Sequence, residues 1–166
     1  PMSLIQKVKA IGVAGQMHGI LLWNKTTKKH SNLITWQNKR ASIENILDDF
    51  KKKKNCSKLY DGLGFTSLAT IYYNQKKNLN EDVFNLEKNE YNCCGTIMDY
   101  IVWLYTGSQE KPSIDYTNAA SWGLFDIETN CWDLKTIEDL GIVKNILPTI
   151  VKTGSQVGLL CSEISI

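Results

Sequence analysis

The stretch Val8-Lys9-Ala10-Ile11-Gly12-Val13-Ala14-Gly15-Gln16-Met17-His18-Gly19-Ile20-Leu21-Leu22-Trp23 decides the fold. A β-branched apolar run stops at a small-residue turn, an amide and an imidazole follow, and a second apolar run begins. Short apolar runs bounded by turn residues read as buried strands, which predicts one strand over 10–14 and another over 20–23. Gly15 and Gly19 bracket the polar pair and give the backbone room to bend. A strand that ends on Gln16 and His18 presents hydrogen-bonding groups at a sheet edge. In open α/β sheets ligands collect outside such strand ends.

Working outward, residues 4–8 read as the tail of a helix, 26–30 as a polar hairpin or loop, and 33–36 as a short extended piece. That piece delivers Trp36, Gln37 and Asn38 to a turn. Ile43, Ile46, Leu47 and Phe50 recur at helical spacing, which predicts an amphipathic helix over 41–54. A loop follows at Asp61-Gly62-Leu63-Gly64, then a helix over 66–75 capped by Thr66, then an exposed Asn-rich connection over 76–90. Residues 96–104 are apolar on most sides and predict a buried helix ended by Thr106-Gly107. The polar segment 115–121 reads as a loop ahead of a strand at Trp122–Asp126. Asp133 is placed to cap a helix over 134–140 that Gly141 closes. Leu147-Pro148 breaks the chain, and residues 150–151 with 157–160 predict a terminal hairpin around Gly154-Ser155. No repeat or linker divides the chain, so residues 1–166 are expected to form one domain.

The chain has 166 residues, 43% hydrophobic and 22% charged, which is long and apolar enough for a real core. A net charge of +2 is too small to call for nucleic acid. The run Lys51–Lys54 follows Asp48 and Asp49 and reads as a solvated helix end. Five cysteines (Cys56, Cys93, Cys94, Cys131 and Cys161) show no Cys-x-x-Cys spacing, and only His18 and His30 are available to join them. Buried reduced thiols in a cytoplasmic protein are therefore expected, with no metal site. No window is apolar enough to span a membrane, and residues 1–7 lack the apolar stretch of a signal peptide. Because Pro1 precedes Met2, the chain is expected to be a piece of something longer.

The chemistry-bearing residues are hydrogen-bonding side chains and indoles. Gln16 and His18 lie beside the turn glycines. Trp36 followed by Gln37 and Asn38 offers a flat apolar face next to polar groups, which suits a polyol or sugar. Asp99, inside an apolar helix, either caps that helix or accepts bonds from a ligand hydroxyl. Asp115, Thr117 and Asn118 form a polar cluster. Gly-x-x-x-x-Gly-Lys-Ser/Thr, Gly-x-Gly-x-x-Gly and Gly-x-Ser-x-Gly are all missing, and no nucleophile–His–acid set can be named.

In this order, these segments resemble the N-terminal domain of the FGGY carbohydrate kinases. Ile11–Gly19 is similar to the family strand ending in Gly-Gln-Met-His-Gly. Thr35-Trp36-Gln37-Asn38-Lys39-Arg40 is similar to Trp-Gln/Asn-Asp-x-Arg, with Asn38 in place of the usual Asp. Thr96-Ile97-Met98-Asp99-Tyr100 resembles the helix that carries a substrate-facing Asp. Asp115–Ser121 resembles a Thr-Asp-x-Ser-x-Ala-type segment, and Pro148-Thr149-Ile150-Val151 a late Pro-x-Ile/Val stretch. Asn118-Ala119-Ala120-Ser121-Trp122-Gly123 is most similar to the sedoheptulokinase branch, with the xylulose and glycerol kinases as alternatives.

The resemblance implies a ribonuclease H-like, actin-like ATPase α/β fold: an incomplete mixed sheet flanked by helices. It implies ATP-dependent phosphorylation of a ketose, from sedoheptulose to sedoheptulose 7-phosphate in that branch, with ATP and Mg2+ used by the full-length enzyme. The substrate-binding set it implies is Gln16, Met17, His18, Trp36, Gln37, Asp99 and Asn118. The family's catalytic Asp falls beyond Ile166, so no catalytic residue is expected here. Its opening Gly-x-Asp-x-Gly-Thr hairpin and its ATP-binding second domain are also expected to be lacking, which leaves a sugar-binding piece inactive alone. A non-catalytic sugar-binding fragment is the remaining alternative. Sugar and ATP are the expected partners, with neither nucleic acid nor membrane.

Overall fold

A computed structural model describes residues 7–37, 90–108 and 111–162. The helices expected over 41–54 and 66–75, the loop at 61–64, the connection over 76–89 and Asn38 lie outside these residues, as does most of segment 4–8.

Leu21–Trp23 forms β1, which pairs antiparallel with β2, Cys93–Gly95, setting Leu22 against Cys94. The other edge of β1 is held by bridges from Ile20 to Ile34 and from Trp23 to His30. The 20–34 hairpin is closed by Asn24, whose Oδ1 accepts from the main-chain N–H of Thr26 and Thr27. A side chain that replaces main-chain partners in this way is why Asn starts turns.

Helix α1, Ile97–Tyr105, follows β2 directly. Thr96 and Asp99 form a reciprocal capping box at its start. Gly95 allows the close approach of Trp23 and α1, since a Cβ there would sit 2.9 Å from the Trp23 ring and 2.9 Å from Asp99 Cβ. Only Asp99 and Trp103 of α1 are buried, so the helix is half-buried where its composition predicted a fully buried one. Its apolar residues are shared between the core and the surface, where Tyr105 is exposed.

Residues 115–121, read from sequence as a loop, instead divide between two elements. Strand β3, Ser113–Asp115, ends on the cap of α2, Tyr116–Ala120. Asp115 supplies that cap by accepting from Thr117 N–H, the usual way an aspartate starts a helix. Of the strand expected over 122–126 only Phe125–Asp126 (β4) forms, because Gly123 is in a turn; it pairs in a short hairpin with Cys131–Trp132 (β5). Helix α3, Leu134–Leu140, then runs from Asp133 to Gly141 as predicted, with Gly141 left-handed at φ 70°. After a 3₁₀ turn at Lys144–Ile146, β6, Thr149–Val151, returns to lie parallel to β3. Among the described residues the ladders are thus of both kinds, parallel and antiparallel, in three two-stranded pieces.

One core joins Ile20, Leu22, Cys94, Ile114, Trp122, Leu124 and Leu147, each with 1% or less of its surface exposed. A second cluster sets Trp23 against Tyr100 and Trp103, with ring centroids 5.1 and 5.6 Å away. Trp132 stacks on Trp122 and donates from Nε1 to the Pro148 carbonyl at 2.9 Å, fixing the chain just before β6.

Further expectations fail. Residues 10–14 are not a strand and are not buried: Val8 and Ile11 are about half exposed, and no described strand lies alongside to complete a ladder. Apolar alternation is buried only when a neighbour covers it. Residues 157–160 likewise form no hairpin with 150–151, because β6 pairs with β3 instead. They run exposed from the turn at Ser155, with Leu159 the most exposed, until Cys161 N–H donates to the Tyr105 carbonyl at 2.8 Å. Among the described residues no helix is long and apolar enough to cross a membrane. Cys93 and Cys94 are buried, and burial pushes both thiols up, Cys94 well above its ordinary value. Cys131, expected inside, is exposed: it precedes Trp132 in β5, and neighbouring residues of a strand alternate between faces, of which Trp132 takes the covered one.

Candidate functional site

The turn at 15–19 meets the rest of the molecule from three directions. A Cβ on Gly15 would lie 3.1 Å from Met98 Cγ, so the turn sits on the first turn of α1. Gly19 packs by Leu33 and the Ile34 carbonyl on the hairpin. Between them, His18 N–H donates to Asn118 Oδ1 of α2 at 3.4 Å, across 100 residues of sequence. The bend does not fall on the glycines: it is His18 that takes the left-handed conformation, at φ 64°. For a residue with a Cβ this costs roughly 1–2 kcal/mol, and such strain collects where a side chain must be aimed.

Gln16, Met17 and His18 are exposed. The register that sets Ile20 against Ile34 puts His18 and Trp36 each two residues beyond that pair, at the same open end of the hairpin. Trp36 is 54% exposed, an unusual place for an indole, and Gln37 beside it is exposed.

Asp99 resolves toward the cap. Its Oδ2 accepts from Thr96 N–H at 2.7 Å and from Thr96 Oγ1 at 2.9 Å, while its own N–H donates to Thr96 Oγ1 at 3.3 Å. Both bonds to the carboxylate fall on one oxygen. Burial raises its pKa to about 7; the bonds from Thr96 oppose that rise, and the charge of Asp115 adds to it. This carboxyl therefore changes charge near neutrality.

Asp115, read from sequence as one member of a polar cluster and left out of the substrate-binding set, is the hub of a set of hydrogen bonds. Oδ1 accepts from Thr117 N–H at 2.8 Å, Thr117 Oγ1 at 2.6 Å and Thr153 Oγ1 at 3.2 Å, and Oδ2 accepts from Asn118 Nδ2 at 2.6 Å. Burial pushes its carboxyl up, but the hydrogen bonds from Thr117, Asn118 and Thr153 outweigh burial and hold it below the usual range. The signal was present in the sequence, since an Asp two residues before a Thr and three before an Asn is placed to cap and to hold both. The partner Thr153, 38 residues on, left no such trace.

The turn 15–19, the start of α1 and the start of α2 thus converge, with His18 and Asn118 in direct contact. Trp36 and Gln37 share an end of the hairpin with His18. Hydroxyl-bonding groups beside an exposed indole suit a polyol. Among the described residues no three His, Cys, Asp or Glu side chains gather to hold a metal ion, and none is assigned to Mg2+.

The pattern of the FGGY family of carbohydrate kinases, N-terminal domain, matches residues 3–166. The chain is 31% identical to a sedoheptulokinase of Mus musculus, over 95% of this chain and 34% of that protein. It is also 31% identical to a glycerol kinase of Pseudomonas tolaasii, over 91% of this chain and 30% of that one. The crystal structure of Plasmodium falciparum glycerol kinase with ADP superposes with a TM-score of 0.75 at 25% identity, covering 98% of this chain and 33% of that chain. The fold is that of the sugar kinases, the actin-like ATPase fold expected from the sequence. The chain spans about a third of the length of the curated relatives it matches.

Proposed function

The chain belongs to the FGGY family of carbohydrate kinases, and on that premise we propose that it supplies the sugar-binding wall of an ATP-dependent kinase acting on a ketose, sedoheptulose first among them. The observation that carries this reading is the meeting of the Gly-Gln-Met-His-Gly turn with α2 through His18 and Asn118, against Met98 in the first turn of α1 and at the hairpin end that bears Trp36.

In this reading Gln16, His18 and Asp99 bond the sugar hydroxyls, Asn118 closes the wall behind them, and Met17, Trp36 and Gln37 line the cleft. A neutral imidazole donates from one nitrogen and accepts at the other, as a hydroxyl requires. Phosphoryl transfer asks little covalent chemistry of a protein, since positioning dominates. ATP supplies the phosphoryl group and Mg2+ neutralises its charge; no residue of this chain is assigned to either. The sedoheptulokinase branch is supported by the segment Asn118–Gly123, and a glycerol kinase by a relative of equal identity.

The test is turnover by the full-length protein with ATP and a panel of sedoheptulose, xylulose and glycerol. Preference for sedoheptulose is expected. Preference for glycerol or xylulose moves the assignment within the family. Sugar binding without turnover of any of them makes the protein a binder.

A further inference from the structure

We infer that Asp115 is a positioning residue that holds His18 in its left-handed conformation through the side chain of Asn118. The sugar-affinity part of this inference rests on the function proposed above; the structural part does not.

The two atoms of the Asn118 amide face opposite ways. Nδ2 donates to Asp115 Oδ2 and Oδ1 accepts from His18 N–H. Asp115 decides which way round the amide sits, because a carboxylate offers only acceptors and therefore draws Nδ2. That choice leaves Oδ1, and only Oδ1, to meet the His18 N–H. The remaining acceptor capacity of Asp115 is taken by Thr117 at the start of α2 and by Thr153 in the turn after β6, so the carboxylate is braced on two sides. Asn118 is only 3% exposed, so water does not replace either partner and the two bonds set the amide's orientation. The same enclosure assigns Asn118 to the support of the wall, behind the exposed Gln16 and His18.

The logic can be reversed by exchanging the two residues. In Asp115→Asn the new amide keeps its oxygen toward Thr117 and Thr153 and turns its nitrogen to Asn118. Donor then meets donor, Asn118 turns over, and its Nδ2 confronts the His18 N–H. In the paired D115N/N118D variant a carboxylate at position 118 accepts from both sides, and the relay closes again with one negative charge, as before.

The experiment measures amide hydrogen exchange at His18, together with KM for sedoheptulose and for ATP, in the full-length protein. Asp115→Asn is expected to speed exchange at His18 and to raise the sugar KM roughly tenfold, the weight of one hydrogen bond at the strong end of its ordinary range. The ATP KM stays unchanged. D115N/N118D is expected to restore both quantities to within about threefold, the coupling that marks residues acting as a unit. Asp115→Ser, which keeps a good helix cap but withdraws the oxygen that holds Asn118, repeats the loss if Asp115→Asn does not fold. Unchanged exchange at His18 in a folded Asp115 variant overturns the inference, as does a paired variant no better than either single one. If the wild-type protein phosphorylates no sugar, the proposed function fails and the exchange measurements alone decide the relay.

Discussion

Among single residues, His18 carries the most testable chemistry. Its backbone is strained and braced, and its ring is exposed at the hairpin end shared with Trp36. His18→Ala in the full-length protein is expected to raise the sugar KM by one to two orders of magnitude, about what two lost hydrogen bonds amount to. The ATP KM is expected to move little; equal changes in both would take His18 off the sugar wall. Asp99 makes a prediction of opposite kind, about pH. Its folded pKa is about 7 against an ordinary value of 3.8, so the folded chain holds a proton that the unfolded chain has released. Stability from this group is therefore complete below pH 4, falls as pH rises toward 7, and is flat above. The total is on the order of 4 kcal/mol if burial acts undiluted. Asp99→Asn, which imitates the protonated form, is expected to remove that slope in urea melts run between pH 5 and 8. If Asp99 also accepts from a sugar hydroxyl, the same substitution removes a rise in sugar kcat/KM near pH 7; unchanged kinetics leave it a cap alone.

At the scale of elements, caps and close approaches were the readable part. Asp133 and Gly141 delimit α3 as their residue types predict. Asp133 Oδ1 accepts from Thr136 N–H at 3.0 Å and Oδ2 accepts from Thr136 Oγ1 at 2.7 Å. Asp133→Ala is expected to cost about 1 kcal/mol in chemical denaturation. Gly95 was silent in the sequence, because nothing local announces that Trp23 and Asp99 will crowd it. Gly95→Ala inserts a methyl where both neighbours stand at 2.9 Å and is expected to destabilise by about 1–3 kcal/mol, read in the same melts. The failures at 10–14 and 157–160 share one cause. Apolar alternation reports what a segment is able to bury, whereas burial itself depends on which strands arrive beside it, and that is a long-range fact. Segment 115–121 failed differently: its polarity suggested a loop because Asp, Thr and Asn serve turns and helix starts equally.

For the molecule as a whole, the family and the fold class were legible because five short segments kept their order along the chain, whereas β2, β3 and α2 were not read from it. The convergence of the site was less so. Gln16, His18 and Asn118 were expected together and two of them touch, but the brace that joins them runs through Asp115 and Thr153, residues with no apolar pattern to betray them. Closing β3 against β6 brings Thr153 to Asp115, so the hub gains its one distant partner only once the parallel ladder has formed. Calorimetry on the full-length protein is expected to show heat with sedoheptulose in the absence of nucleotide, since the groups proposed to grip the sugar all belong to this chain. Heat that appears only after nucleotide is added would require the sugar site to be assembled by the other partner.

The five tryptophans also give the chain a built-in optical probe. Trp23, Trp103 and Trp122 are sealed from water, Trp132 is partly covered against Trp122, and Trp36 stands 54% open at the hairpin end. Within this chain, the red edge of the emission spectrum and the portion quenched by iodide therefore belong chiefly to one indole. A sugar seated against it should shift that edge toward blue and shield it from the quencher, and Trp36→Phe should abolish the response while leaving the blue emission of the sealed rings intact.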